Sequence, residues 1–545
     1  MQIGFLLTKA RLYVLGALAG VFALPHAVSA ESRHVVVVVW DGMRPDFVNE
    51  QDTPTLCKLA KEGVLFRNHH AVYLSATNVN GVALATGVYP SHSGLIANRE
   101  FRPKIDNRKP VDVDDPHVVG KGDELSGGKY IATPTIAALV REGGGRTAIA
   151  AAKTVGLLLD RHVDPGRTKN CVTLFGGAAI PQNALAPITA TLGQFPPVRV
   201  QQDAWTTKAL TEFFWRDGVP AFSLLWLGEP DLTQHETAPG AEAALRVIKS
   251  SDDNLAAVLT ALDGSRVGGT RDTTDVFVVS DHGFSTIERE IELPKILAHA
   301  GFDVVTEVKG EPQAGRIMVV GGGGSVLFYT DHHDPAATRR LVEFLQRSDF
   351  AGVIFTREKL EGTFTLDRGK IDSPDAPDVV LAFRWNDSKN QFGVRGMIDA
   401  DWQRAAGNGT HATLSRFDMH NILIAAGPDF RRGQTDDLPS GNIDLAPTIL
   451  KILGIAAPHP MDGRVLSEAM VKSASSPAGR IRPMADRTDS SRGETDREPL
   501  KPQTETIEAT KSFSSGTWRQ ALHISRVGST TYLDDGNGKF EASEK

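Results

Sequence analysis

Four short stretches of the chain carry side chains that could hold a metal ion. They are Asp41, just past a run of valines; Asp231-Leu-Thr-Gln-His235; the adjacent pair Asp281-His282, followed by Gly283; and Gly407-Asn-Gly-Thr-His411. Carboxylates and neutral imidazoles are the mixed oxygen and nitrogen donors that zinc accepts in tetrahedral sets. The six side chains suffice for two ions sharing one substrate oxygen. An Asp and a His four apart, or side by side, is common on surface loops, so each stretch alone says little. Their joint occurrence, three of them just past β-branched runs, is the signal. A fifth stretch, Leu74-Ser-Ala-Thr77-Asn-Val-Asn80, offers a hydroxyl. A threonine hydroxyl is a poor nucleophile unaided, but a bound metal lowers its pKa and removes the need for a separate base. Thr77 would also serve as the N-cap of a helix running through Ala83 to Thr86, and a helix N-terminus favours a bound anion.

These residues need elements to bring them together. His34 to Trp40 is almost all valine, without polar alternation, which predicts a strand buried on both faces of a parallel sheet. Phe222–Leu227 and Asp275–Val279 repeat the pattern, and each is followed within a few residues by an aspartate. Ligands of open α/β sheets bind beyond the carboxyl ends of strands, so aspartates far apart in sequence can meet there. Helical spacing marks Thr53–Glu62, Asp203–Trp215 and Ala241–Leu262. Strand-helix alternation predicts a three-layer α/β fold with helices on both faces of a mostly parallel sheet.

The rhythm breaks from about Ile287 to Asn408. Short strands at Arg316–Val320 and Ser325–Tyr329 flank Gly321–Gly324; no Lys-Ser or Lys-Thr follows, so the glycines read as a turn and not a phosphate loop. A helix over Asp334–Arg347 and a strand near Val353 complete a small sheet of its own. Core pattern returns at Ile422–Ala426 and in a helix over Asp444–Leu453. The predicted organisation is a signal peptide over 1–30, a first part of the α/β core over 31–286 and an inserted α+β subdomain over 287–408. A second part of the core follows over 409–472, then a linker or disordered stretch over 473–506 and a C-terminal strand extension over 507–545. Within the extension, Asp534-Asp-Gly-Asn-Gly538 reads as a turn.

The 545 residues carry a formal net charge of −7. That excludes a dedicated binder of nucleic-acid polymers, which needs a basic face, but not one of small phosphate esters. Lys9 and Arg11 precede an apolar run from Leu12 to Leu24, and Val28-Ser29-Ala30 precedes Glu31, the form of a cleaved secretory signal. The run is short for a membrane span. The mature chain is therefore expected to be exported, periplasmic or secreted, with no stable membrane span. Two cysteines, Cys57 and Cys171, make no framework; a buried thiol and a bond are equally open for them.

Several of these stretches together resemble a known family. Asp41-Gly-Met-Arg-Pro-Asp46, Thr53-Pro54, Thr77, Thr86-Gly-Val-Tyr-Pro90, Asn98, Pro230-Asp231 through His235, Ser280-Asp-His-Gly283, Gly409-Thr-His411 and Asp462-Gly-Arg-Val-Leu466 look like the nucleotide pyrophosphatase/phosphodiesterase branch of the alkaline phosphatase superfamily. The resemblance runs in order from about residue 34 to 465. It implies an alkaline-phosphatase-like fold and two zinc ions, one held by Asp231, His235 and His411, the other by Asp41, Asp281, His282 and the Thr77 oxygen. Thr77 would attack phosphorus, Asn98 would donate to a non-bridging oxygen, and a phosphothreonine would then be hydrolysed, retaining configuration at phosphorus.

Three departures bear on substrate. Ala412 stands where the family motif continues with glycine. Asn78 stands where nucleotide-cleaving relatives often carry an aromatic residue that stacks on the base. Ser93 replaces a histidine, with His92 beside it reading as a surface residue. His420, in Asp418-Met-His-Asn421, is a candidate support behind the ligands; His69-His70 and His332-His333 read as structural or surface pairs. A phosphonate hydrolase, similar to phosphonoacetate hydrolases, is the alternative enzyme. A sulfatase is disfavoured by the missing Cys/Ser-x-Pro-x-Arg motif. A non-catalytic exported binding protein would be expected to lack a ligand or the nucleophile, and none is missing.

Overall fold

The valine run forms a strand, β1 (His34–Trp40), near the middle of a nine-stranded sheet. Val35, Val37 and Val39 enter one apolar cluster with Leu84, Leu139 and Ile449 from helices, while Val36, Val38 and Trp40 enter another with Leu56, Trp205, Ile248 and Leu255. Successive side chains of a pleated strand point to opposite faces. A strand covered on both faces therefore has no place for polar alternation, which explains the unbroken run. The result is the expected three layers, with the Thr77–Thr86, Ile136–Glu142 and Leu445–Leu453 helices on one face and Pro54–Glu62, Arg199–Lys208 and Glu242–Asp263 on the other.

The remaining strands of this sheet are β2 (Val64–Phe66), β3 (Thr147–Ala151), β4 (Val172–Phe175), β5 (Ala178–Ile180), β6 (Phe222–Leu227), β7 (Thr274–Val279), β8 (Leu423–Ala426) and β9 (Gln434–Asp436). Their order across the sheet is β9-β2-β8-β7-β1-β6-β3-β4-β5. From β7 to β4 the strands are parallel; β8 and β5 run against their neighbours. Register matters for the site. Val39 of β1 lies opposite Val279 of β7 and Trp226 of β6, and Trp226 lies opposite Ala151 of β3. Four adjacent strands thus end level with one another, and residues just past those ends must share one rim.

A second, six-stranded sheet is built from Val304–Val305, Ile317–Gly321, Ser325–Thr330, Ala351–Thr356, Phe364–Thr365 and Val379–Phe383. One face packs on the Leu293–His299 and Pro335–Leu345 helices. The other shares a core with Val72, Tyr73 and Val79 beside Thr77 and with Leu522, Ile524 and Leu533 near the C-terminus. The glycine run is the turn between Ile317–Gly321 and Ser325–Thr330. Gly321, Gly323 and Gly324 have no room for side chains: a Cβ on Gly324 would lie 2.6 Å from the His411 carbonyl oxygen, to which the Gly324 N–H donates at 2.7 Å.

The structure is a computed structural model describing residues 33–162, 171–264, 269–309, 315–471 and 501–543. The signal-peptide reading and most of the linker reading lie outside those residues. Among the described residues no helix is long and apolar enough to cross a membrane. Two expectations near the C-terminus fail. A strand already begins at Gln503, inside the stretch read as linker, and Asp534–Gly538 is no turn but the middle of a strand, Thr530–Ala542. The glycines there serve close packing: a Cβ on Gly536 would sit 2.7 Å from Leu522 Cδ2, and one on Gly538 would strike the Gly352 carbonyl and the Trp518 ring. Glycine inside a strand marks such approaches as well as turns. Asp534 points inward, to His70. Cys57 and Cys171 are both free thiols, on different layers of the fold.

Candidate metal centre and nucleophile

The level strand ends deliver their residues to one place. Asp41 follows β1, Asp281 follows β7 and Asp231 follows β6, and all three are almost fully buried. Backbone and side-chain bonds lock the loops to one another. The Asp231 N–H donates to the Asp41 carbonyl at 2.9 Å, the Gly42 N–H to Asp281 Oδ1 at 3.0 Å, and the Gln234 amide to the Gly42 carbonyl at 3.0 Å. His411 arrives on an irregular segment after Gly409–Thr410, which pairs with Ser285–Ile291. The Ser75 hydroxyl donates to the Thr413 carbonyl, tying that segment to the Thr77 loop.

Two triads result. Asp231, His235 and His411 form one; Asp41, Asp281 and His282 form the other. In each histidine Nδ1 faces a backbone carbonyl: Gly409 for His235 at 3.0 Å, Ser75 for His411 at 2.7 Å, Gly283 for His282 at 2.9 Å. A carbonyl can only accept, so Nδ1 carries a proton, and in the neutral ring Nε2 keeps its lone pair, the arrangement of a ligating imidazole. The Nε2 atoms face carboxylates. His235 and His411 lie 3.2 and 3.5 Å from Asp231 Oδ1, and His282 lies 3.1 Å from Asp281 Oδ2 and 3.7 Å from Asp41 Oδ1. Asp231 Oδ1 and Asp281 Oδ2 are buried without a hydrogen-bond partner. Donors about 2.0–2.1 Å from a tetrahedral zinc stand about 3.3 Å apart along each edge. The spacing, the donor types and the two orphaned oxygens all fit a small divalent cation in each triad.

Electrostatics agree. Burial, and then the neighbouring Asp281, push the Asp41 carboxyl well above the usual carboxylate range. Burial acts on Asp231 too, but Lys153, His235 and His411 hold it well below that range. Burial would lower His282, yet Asp281 and Asp41 raise it to about 9. Two carboxylates are calling for positive charge at that point. Burial, with His282 and His235 beside it, keeps His411 well below its ordinary value, and burial lowers His235. Both are therefore neutral donors.

Thr77 lies between the triads, its hydroxyl 3.5 Å from Asp41 Oδ1 and 3.3 Å from His282 Nε2. It does not cap its helix. Thr77 is the first helical residue and Ala76 is the N-cap, whose side chain makes no capping bond. The hydroxyl is thus free of the capping role that the sequence allowed. Asn98 stands beside it. Its Oδ1 accepts from the Asn78 N–H at 2.9 Å, which fixes the amide so that its NH₂ is the group left to donate.

Two residues of the centre escaped the sequence. Lys153 stands two residues past β3, with Nζ 2.9 Å from Asp41 Oδ2, 3.0 Å from Asp231 Oδ2 and 3.3 Å from Thr77 Oγ1. Those partners raise its pKa against the effect of burial. The Trp226 indole donates to Asp41 Oδ2 at 2.8 Å. Lys153 too stands just past a buried strand, but Thr147–Ala151 is alanine-rich and lacks the β-branched run that marked the strands before the aspartates. The other histidines lie apart. His92 pairs with Asp462, His333 with Asp378, and His420 packs its ring on His70 and not on a ligand.

Comparisons with known proteins bear on this geometry. A family model described as type I phosphodiesterase / nucleotide pyrophosphatase matches residues 35–388. The bis(5'-adenosyl)-triphosphatase enpp4 of Mus musculus is 22% identical over 439 residues, 80% of this chain and 80% of that protein. Ectonucleotide pyrophosphatase/phosphodiesterase family member 5 of Homo sapiens is 22% identical over 451 residues, 82% and 80%. Among solved structures, human ectonucleotide pyrophosphatase / phosphodiesterase 5 matches with a TM-score of 0.57 at 18% identity, covering 81% of this chain and 100% of that one. The murine protein in complex with AMP matches at 0.56 and 17%, with the same coverage. At such identities the structures speak for the fold, which is alkaline-phosphatase-like. Matched by the family model over most of its length, the chain belongs to the type I phosphodiesterase / nucleotide pyrophosphatase family, whose members hydrolyse phosphoric diesters.

Proposed function

We propose that this chain is an exported phosphodiesterase that cleaves diesters through a phosphothreonine on Thr77, with zinc held by Asp231, His235 and His411 and by Asp41, Asp281 and His282. The observation that carries the proposal is the hydroxyl of Thr77 set against two triads, each with one buried carboxylate oxygen, Asp231 Oδ1 and Asp281 Oδ2, that has no hydrogen-bond partner. Zinc ions bound there would supply the charge that lowers the hydroxyl's pKa and stabilises oxygen anions of substrate and leaving group. The Thr77 hydroxyl gives up its proton and its oxygen forms a bond to phosphorus on the side opposite the leaving oxygen, whose bond breaks and which takes up a proton to depart as an alcohol or leaves as phosphate. Water then attacks phosphorus in line with the Thr77 ester oxygen, returning the hydroxyl and releasing a monoester. The Asn98 amide holds a non-bridging oxygen through both displacements.

Nucleotides are the substrate class suggested by the names of the relatives. Asn78 offers no ring to a base next to Thr77, so recognition of a base must come from elsewhere. We assign the shaping of the leaving-group side to the insert at 287–408, whose Gly324 reaches the His411 backbone. The test compares bis(p-nitrophenyl) phosphate with the monoester and the sulfate ester, with and without a chelator. The expected result is preference for the diester over the sulfate, abolished by chelation and by Thr77→Ala. Diester turnover that survives both treatments sinks the proposal.

A further inference from the structure

Lys153 holds its position by a division of labour within two carboxylates. Asp231 turns Oδ1 to His235 and His411, and Asp41 turns Oδ1 to His282 and Thr77. Lys153 takes the opposite oxygen of each, Oδ2 of Asp41 at 2.9 Å and Oδ2 of Asp231 at 3.0 Å. A cation bound in either triad through the histidine-facing oxygens leaves both lysine contacts intact. An ammonium has three N–H bonds. Two are anchored, and the nitrogen lies 3.3 Å from the Thr77 oxygen. When that oxygen is bonded to phosphorus it no longer carries a proton and is a weaker acceptor. The ionised non-bridging oxygens on that phosphorus are the stronger acceptors.

Charge then separates substrate classes. The triads bring three carboxylates, Asp41, Asp231 and Asp281, and Lys153 adds one fixed positive charge beside the nucleophile. A diester carries one ionised phosphoryl oxygen; a phosphate monoester or a phosphonate carries up to two. We propose that Lys153 is a catalytic residue whose ammonium binds a non-bridging phosphoryl oxygen and extends the enzyme's range to phosphorus groups with two ionised oxygens, monoesters and phosphonates. This rests on the reading of Thr77 as the nucleophile between two metal sites.

The test uses the zinc-loaded full chain and the variants Lys153→Met, close in length and uncharged, and Lys153→Arg. Three quantities are measured: kcat/KM for p-nitrophenyl phosphate and for bis(p-nitrophenyl) phosphate; zinc content by elemental analysis; and the Kd of inorganic phosphate by calorimetry in a Thr77→Ala background. Lys153→Met is expected to keep its zinc, to lose about 10²–10³-fold on the monoester, the usual cost of removing one donor to a developing anion, and to lose at least about tenfold less on the diester. Phosphate affinity should fall by at least about tenfold, with Lys153→Arg restoring part of each loss. Equal losses on the two esters, unchanged phosphate affinity, zinc lost from Lys153→Met, or no monoester turnover by the unaltered chain would each overturn the proposal. Diester turnover that resists chelation and Thr77→Ala instead removes the underlying hydrolytic reading, so the two failures are distinguishable.

Discussion

Two groups of histidines are buried in this protein, and they are built to opposite ends. At the proposed metal centre His235, His282 and His411 spend one nitrogen on a backbone carbonyl and turn the other toward carboxylates. In the second group, behind the centre, His69 has Ser440 Oγ on one nitrogen at 2.9 Å and Asn442 Oδ1 on the other at 3.0 Å. His70 bonds the Ser440 carbonyl through Nδ1, and its Nε2 lies 2.9 Å from Asp534. The lesson is that burial and composition do not separate a ligand from a strut. Nor does one carboxylate facing an imidazole, since His70 has that too; what separates the triads is the convergence of three donor side chains whose ligand atoms lie within 4.8 Å of one another. The groups are also joined: Asn442, which meets His69, donates to the Asp281 carbonyl at 2.6 Å, and Asp534 comes from the C-terminal strand. The last strands of the chain thus brace the loop that carries Asp281 and His282.

The sharpest way to break this comparison is to remove one member of each group and add a chelator. His411→Ala should lose at least about 10³-fold in diester kcat/KM, since a metal ligand does the work of more than one transition-state donor. It should also lose most of the stabilisation that zinc would give under the proposed function, which is about 2.7 kcal/mol for a ligand at a hundred times its Kd. Asp534→Ala should lower the denaturation midpoint with and without chelator, by about 1–3 kcal/mol for a buried nitrogen left unpaired. It should keep the full chelator-dependent shift and its zinc. Thermal melts with elemental analysis decide the matter. If His411→Ala keeps the chelator shift and Asp534→Ala loses it, the assignment of the two groups is reversed.

A smaller effect follows from protons. Burial, with only partial compensation from Asn442, takes His69 down to about 3 from 6.5. A histidine whose folded pKa is depressed stabilises the fold fully above the unfolded value and loses that contribution as pH falls toward the folded one. Between about pH 6.5 and 3 the unfolded chain binds one more proton at this site, so stability should fall by about 1.4 kcal/mol per pH unit from His69 alone. Urea midpoints of chelated protein from pH 7 to pH 4.5, compared with a His69→Asn variant, measure it. An equal pH slope in the variant refutes the assignment.

Much of this was legible along the chain, for identifiable reasons. The valines of β1 revealed the doubly covered sheet because a strand's burial is written in consecutive residues. Asp41, Asp231 and Asp281 were legible because parallel strands share one working edge. Lys153 was not, because lysine past a strand ordinarily reaches for solvent, and its two carboxylate partners are 112 and 78 positions away in the sequence. Asp534–Gly538 misled because Asp, Asn and Gly favour turns locally. The packing of Gly536 and Gly538 against Leu522 and Trp518, and the His70 partner of Asp534, override that preference only once the fold has formed.

The smallest expected effect sits beside His411. Ala412 occupies the position at which the family motif has glycine, and its φ is +80°. That is the left-handed region, where an L-residue with a Cβ is strained by about 1–2 kcal/mol. Its carbonyl accepts from the Ser325 hydroxyl at 2.5 Å, so the peptide is held in place rather than free to relax. Ala412→Gly removes the strain but gives the unfolded chain more freedom, a loss of about 0.4–1 kcal/mol. The balance is a gain of up to about 1.6 kcal/mol, with zinc content and diester turnover unchanged because neither Nε2 nor Nδ1 of His411 depends on the Ala412 side chain. A lowered melting midpoint in Ala412→Gly would mean that the methyl group, fully buried here, contributes more by packing than it costs in backbone strain, and that the departure from glycine is a stabilising adaptation of this chain.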